Sequence, residues 1–255
     1  MPPTRAAPYL LSVFLVALAG PSGTAAQESP WSAEGELGAS VFFGATSQTT
    51  VATRAAAERA DSTYALSAQG TFAYGEGTEA SGEDYVSKRD WKVEASLDWR
   101  PYGTVSPFVF STVESSLQRQ IDVRFNGGAG GKVTLIRNER SRVDVSVAIL
   151  GEETRFRGRV DGRSAETRVR WSGRLRAERE VMDGRVSLGT VNFYRPVLGD
   201  PGNFVFESQT AVGFRLSRIV TLKVSLIDTY DSRAEERGAP TNNDGQLLFS
   251  VLSEF

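Results

Sequence analysis

The chain has 255 residues, of which 40% are hydrophobic and 24% charged, and its formal charge is −2. It contains no His and no Cys. Those absences remove the usual base for a serine nucleophile, the commonest metal ligand, zinc sites of ordinary composition and any disulfide framework. Lysine stands only at 88, 92, 132 and 223, so Arg supplies the remainder of the 29 basic residues. With no basic surplus, nucleic-acid binding is not expected. No cofactor is expected either.

The chain opens on Arg5, an apolar run from Tyr9 to Ala19, a break at Gly20-Pro21 and the small residues Thr24-Ala25-Ala26. This pattern predicts a signal peptide over 1–26, cleaved after Ala26, and export of residues 27–255. The run falls short of the ~20 residues that a spanning helix requires. Export then leaves two architectures, a soluble β-sandwich or a membrane crossing made of strands.

From Trp31 onward the apolar residues alternate with period two, bounded by Gly, Asn, Asp, Ser and Pro. Twelve strands are predicted, at 31–43, 48–60, 62–75, 85–100, 106–117, 121–136, 141–156, 164–179, 185–196, 203–216, 219–231 and 245–255. Around 91–100, Trp91, Val93, Ala95, Leu97 and Trp99 alternate with Lys92, Glu94, Ser96, Asp98 and Arg100. Val143, Val145, Val147 and Ile149 alternate with Asp144, Ser146 and Ala148; Val169, Trp171 and Leu175 with Arg168, Arg170, Arg174 and Arg176. Near the end Val220, Leu222, Val224 and Leu226 alternate with Thr221, Lys223 and Ser225.

Many of these segments reach the ~9–11 residues of a tilted membrane strand, against about five or six in globular sheets. Connections after the even-numbered strands are short. Longer polar stretches are expected after the third, seventh, ninth and eleventh, at Glu76–Asp84, Arg157–Arg163, Val197–Gly202 and Ser232–Asp244. The rhythm is that of a barrel with both termini in the periplasm. In that order Trp31, Tyr64, Trp99 and Tyr102 fall at the periplasmic strand ends, and Tyr74, Tyr85, Trp91, Tyr194 and Tyr230 at the outer ends. Such bands are the interfacial girdles of membrane barrels. Trp171 is mid-strand and breaks the pattern. The expected fold is therefore all-β: one closed antiparallel transmembrane barrel of about twelve strands.

The stretch Trp31-Ser32-Ala33-Glu34-Gly35-Glu36-Leu37-Gly38-Ala39-Ser40 resembles the start of the salt-induced outer-membrane proteins, the YdiY-like family of unknown function. Tyr74-Gly75-Glu76 is similar to the end of that family's third strand. Tyr230-Asp231-Ser232 through Gly238-Ala239-Pro240 to Phe255 resembles its final loop and strand. The resemblance implies an outer-membrane barrel and supplies no catalytic residues. Leu247, Phe249, Val251 and Phe255 share one face of the last strand. A strand ending on Phe resembles the signal read by the barrel-assembly machinery, expected here as a partner along with outer-membrane lipids and lipopolysaccharide.

Chemistry is scarce. Glu152-Glu153 and Glu235-Glu236 are adjacent carboxylates, each read as solvated charge at a loop edge rather than as a glycosidase pair. Gly127-Gly128-Ala129-Gly130-Gly131 lacks the Lys-Ser/Thr and the helix of a phosphate loop. Its glycines read as room for side chains crossing the lumen, or as sites of curvature. Arg168, Arg170, Arg174 and Arg176 must face inward, since each Arg at the lipid midplane costs ~2–4 kcal/mol. If the strands flanking residue 160 pair symmetrically, Asp144 faces Arg176, Glu152 faces Arg168, and Ile149 lies beside Trp171. In that register Arg170 and Arg174 lack acidic neighbours. The four arginines read either as part of a charge-compensated wall or as a stripe binding an anionic solute. Lys92, Glu94, Asp98, Arg100, Glu114, Lys132, Glu207 and Lys223 are expected to share the lumen. No inward-folding loop or plug is evident. Three functions follow, in order: a non-catalytic structural or stress-related barrel, a small anion-preferring channel, and a soluble periplasmic sandwich.

Overall fold

In the computed structural model the described residues are 31–42, 47–78, 83–160 and 162–254. The expected signal peptide and the closing Phe255 lie outside them. Twelve strands follow in chain order: β1 (Trp31–Phe42), β2 (Ser47–Ala60), β3 (Tyr64–Thr78), β4 (Asp84–Trp99), β5 (Val105–Ser116) and β6 (Ile121–Asn138), then β7 (Ser141–Val160), β8 (Arg163–Val181), β9 (Val186–Val197), β10 (Asp200–Arg215), β11 (Val220–Asp231) and β12 (Asn243–Glu254). Each pairs antiparallel with the next, and β1 closes on β12 from Glu34↔Glu254 to Ala39↔Phe249. Closure leaves no open sheet edge. The end holding Trp31 and Glu254 is called the terminal end below, and the opposite one the loop end.

Burial is inverted relative to a water-soluble protein. Among the described residues, 24 polar or charged side chains are buried against 8 apolar ones. Along β7 the side chains of Asp144, Ser146, Glu152 and Thr154 are buried, whereas Val147 is 55% exposed and Ile149 48%. A sheet in water hides the apolar face; this one presents it outward, as hydrocarbon requires. The soluble sandwich is thereby excluded. Trp31, Trp99 and Tyr102 ring the terminal end, and Trp91, Tyr194 and Tyr230 the loop end, all exposed on the outer wall; Tyr85, expected with them, has instead the inward parity and covers Gly77. The rings of Tyr194, Phe204 and Tyr230 stack across three strands at 5.4 and 5.5 Å. Trp171 stays mid-wall beside Ile149.

The turns follow local chemistry. Asp61 bridges β2 and β3 by accepting from the backbone N–H of Thr63 (2.7 Å) and Tyr64 (2.9 Å), which holds its carboxyl below the usual aspartate range. Two expected loops differ. β7 runs to Val160 and β8 starts at Arg163; β9 ends at Val197 and β10 starts at Asp200. Each connection is therefore two residues long, not a polar loop, because strand pairing continues past the apolar band where alternation stops marking it. Gly199, at φ 86°, allows the second turn to reverse so tightly.

The glycine run lies in strand β6. A Cβ on Gly128 would meet the Ile149 carbonyl at 2.5 Å and the Phe110 ring at 2.9 Å, so the bare backbone makes room for a lumen aromatic. Gly131, on the outer face, meets nothing within 4 Å.

Candidate functional site

Inward-facing side chains from almost every strand meet in the lumen, where strand alternation delivers polar groups that cannot face lipid. A belt crosses its middle. Lys92 on β4 lies 2.9 Å from Glu94 and 3.6 Å from Glu207 on β10. These two strands are six apart in a ring of twelve, hence diametrically opposed. Arg195 on β9 clasps Glu207 with two bonds of 2.9 and 3.2 Å. On the other side Gln69 donates to Glu94 at 3.1 Å, Arg54 donates to Gln69 at 2.8 Å, and Arg54 donates to Glu34 at 2.8 Å. A single chain of polar contacts thus runs from β1 across to β9.

Toward the loop end a second, more buried cluster centres on Arg124 of β6. Its guanidinium reaches Glu114 at 3.3 Å, Asp231 at 3.5 Å and Glu152 at 3.7 Å, and donates to the Thr154 hydroxyl at 3.0 Å. Glu152 accepts two bonds from Arg170, at 2.9 and 3.0 Å, and Glu114 two from Arg119, at 2.8 and 3.3 Å. The side chains of Arg124, Glu114, Asp231, Glu152 and Arg170 are no more than 6% exposed. Charges this dry persist only when each is paired, because the desolvation cost of a lone ion is several kcal/mol.

A lid covers that cluster. The β11–β12 connection, residues 232–242, turns inward instead of standing in solvent, and carries a short 3₁₀ turn at Glu235–Arg237. Ala234 and Ala239 are buried beneath it. Arg237 donates to Asp231 at 2.5 Å and, across the mouth, to the Arg119 carbonyl at 3.1 Å. Burial lowers the pKa of Arg237, with Asp231 opposing it, and Arg119 lies above the ordinary arginine value because Glu114 outweighs its burial. The expectation of no inward-folding loop is corrected. The lid's residues have no periodicity, and its fold depends on partners that are distant in sequence. Between the lid and the β7–β8 hairpin is a cavity of about 60 Å³. An open vestibule of about 250 Å³ is lined by Gln48, Lys88, Gln118 and Asp244. Toward the terminal end the lumen admits solvent: Gln209, one inward step beyond Glu207, is exposed.

All four arginines of the expected stripe are on the inner side of β8, and the β7–β8 register is the symmetric one, with Asp144↔Arg176, Glu152↔Arg168 and Ile149↔Trp171. The ion pairs are offset by two residues instead, one diagonally across the strands and three along a single strand. Glu152 takes Arg170, Arg168 takes Glu166, Arg176 takes Glu178 at 2.6 Å, and Asp144 takes Arg142 at 2.6 Å. Arg170 is therefore not short of an acid, which corrects the sequence expectation. A long guanidinium reaches a neighbour two residues along as readily as one directly across. Arg174 is indeed without an ion pair among the described residues; it lies over the Phe193 ring at 5.9 Å, its buried Nε unbonded. The four do not form one site: Arg168 and Arg170 lie below the lid, Arg174 and Arg176 in the terminal half.

Of the other expected lumen charges, Arg100 is displaced into the turn after β4, where it is exposed at φ 50°. Glu152 and Glu153 occupy opposite faces of β7 and cannot act as a pair, and Glu152 is buried, not solvated. Glu235 and Glu236 are exposed on the lid. The sequence reading missed Arg124, Arg195, Asp231 and Arg237. Strand parity could have found the first two, since Arg124 pairs across from Glu114 and Arg195 lies on the inward register of β9. No group of three or more Asp and Glu among the described residues is disposed to hold a metal ion.

Residues 35–255 match the family described as "Protein of unknown function, DUF481". The chain belongs to that family. No curated protein matches it. Among solved structures, it is similar to the COG4313 outer membrane channel from Pseudomonas putida F1, at 9% identity over 92% of this chain and 99% of that one, with a TM-score of 0.49. It is also similar to the KdgM porin in complex with disordered oligogalacturonate, at 10% identity over 88% and 99%, TM-score 0.44. The translocator domain of the autotransporter NalP from Neisseria meningitidis matches at 10% identity over 88% and 87%, TM-score 0.45. These likenesses are of barrel architecture alone.

Proposed function

We propose that this DUF481 protein is an outer-membrane barrel of the Gram-negative envelope that acts as a sealed, non-catalytic wall element, structural or stress-related, with both termini in the periplasm. One observation carries the reading: the lumen is crossed by the Lys92–Glu207 contact between opposed strands and covered on the loop-end side by the Arg237-pinned lid. The apolar outer wall and its girdles support lipid and lipopolysaccharide as surroundings. The export pattern in residues 1–26 and the alternating strand β12 support delivery to the assembly machinery. The finer family resemblance, to salt-induced outer-membrane proteins, fits a stress role.

Planar-bilayer recording on refolded, heat-modifiable protein tests this. Silent bilayers are expected, and steady ohmic steps from the unsubstituted protein would refute it. Arg174 favours a second reading, a small anion-preferring channel, because it offers an uncompensated guanidinium to the solvent-admitting half of the lumen. That reading requires anion-preferring steps that disappear in Arg174→Ala.

A further inference from the structure

On the outer wall, a cluster of polar side chains spans four neighbouring strands. On β9 and β10, Thr190 and Thr210 share a hydrogen bond of 3.0 Å, Asn192 donates to Thr190 at 3.0 Å, and Ser208 donates to Asn192 at 2.8 Å. On β11 and β12, Asn243 donates to Asp228 at 3.0 Å. The register ties them together, since Ser208 is opposite both Asn192 and Asp228, and Thr210 opposite Thr190. They alternate with inward-facing residues and share their face with Leu188, Tyr194, Val212 and Leu226, so they point outward.

Their depth makes this unusual. Ser208 and Asp228 lie one step along the outer face, toward the terminal end, from Phe206 and the girdle residue Tyr230, and Thr210 lies two steps from Phe206, which is opposite both Tyr194 and Tyr230. Each step is about 6.6 Å along the strand. The patch therefore enters an apolar band only ~25 Å tall. Across the register, Asn192 is opposite Leu175 of β8, and Leu175 is opposite Val145 of β7, both apolar. Lipid tails offer no partner to a carboxylate or amide, and an unsatisfied polar group in hydrocarbon is costly. Asp228 makes a single side-chain bond and no ion pair among the described residues, although a carboxylate accepts several. Asn192 donates through one of its two amide N–H groups.

We propose that this face of β9–β11 is where two copies of the chain associate in the membrane. A two-fold contact brings the same patch together with itself, so the patch must carry both donors and acceptors. This one does: Asn192 and the threonine hydroxyls supply donors, and Asp228 supplies acceptors. Between membrane segments, polar side chains of this kind bond across the contact. The association is independent of whether the lumen conducts.

The chain has no Cys, so single-cysteine variants report without background. Thr210→Cys, oxidised in native outer membranes and again after refolding into liposomes, is expected to give a dimer band in both. Val147→Cys, on β7 and three strands round the ring from β10, is expected to stay monomeric. Asp228→Leu/Ser208→Leu should abolish the Thr210→Cys dimer while remaining heat-modifiable. Equal cross-linking of the Thr210→Cys and Val147→Cys variants would overturn the proposal. So would a band of different size seen only in native membranes, which would mean an unrelated partner. Should the Thr210→Cys variant not fold, native mass spectrometry of the unsubstituted protein decides: doubled mass is expected, and a monomer alone overturns the proposal.

Discussion

Replacing Arg170 with Ala removes one cation of the buried cluster, the one that clasps Glu152. Glu152 loses two bonds of 2.9 and 3.0 Å, and the carbonyls of Arg195 and Asn203 lose donors at 3.1 and 3.3 Å. Removing one partner of a buried pair typically costs about 3–5 kcal/mol, because the other charge is left without compensation. Arg124 remains 3.7 Å from Glu152 and offsets part of that loss, which places Arg170→Ala near the lower limit, about 3 kcal/mol. The double variant Glu152→Met/Arg170→Met removes both charges and fills the space, so most of the loss should be recovered. Arg124 still has Glu114 and Asp231 there. Equilibrium urea unfolding in detergent micelles, followed by Trp fluorescence, measures both. If Arg170→Ala lies within about 0.5 kcal/mol of the parent and the double variant is no better, the cluster is hydrated and the dry, paired lumen is refuted.

Three further outcomes are expected. Arg237→Ala should expose residues 232–242 to limited proteolysis while lowering the barrel's urea midpoint only slightly, because Arg124 at 3.5 Å still compensates Asp231; an unchanged digestion pattern would mean the lid is held elsewhere. Gly128→Val should cost about 1–3 kcal/mol or more through overpacking, whereas Gly131→Val, with open space around it, should be neutral in the same unfolding assay. Asp61 has a folded-state pKa below its unfolded one, so its stabilising contribution is full above the unfolded value and fades as pH falls through the folded value. Asp61→Ala should therefore lower the urea midpoint at neutral pH, with the gap closing in strong acid; a gap independent of pH would assign the effect to the turn backbone alone.

The strands were legible because the hydrocarbon boundary forces alternation: Trp91 to Trp99 and Val143 to Ile149 could be placed without knowing any partner. The β7–β8 register followed from supposing symmetric pairing about residue 160, since parity alone keeps every arginine inward and Trp171 outward in any register shifted by two residues. Loops after β7 and β9 were misread because beyond the apolar band both faces are polar, and a strand there looks like a turn. The lid was invisible because what folds it is contact with Arg119 and Asp231, not local pattern. The ion pairs were misassigned one by one although the charge-lined wall was anticipated. Register fixes backbones, while a guanidinium selects among acids two residues either way. Arg174 was correctly seen to lack an acid; Arg170 was not, because Glu152 lies within its diagonal reach.

The central claim is an inside-out wall, with alternate residues in lipid and in a packed polar interior. Spin labels on single cysteines walked through residues 143–150 of the refolded protein in liposomes test it most directly. Labels at 145, 147 and 149 should collide with oxygen dissolved in the bilayer, and labels at 144, 146 and 148 should be immobilised. Water-soluble nickel reaching the odd positions instead, with oxygen favouring the even ones, would contradict it.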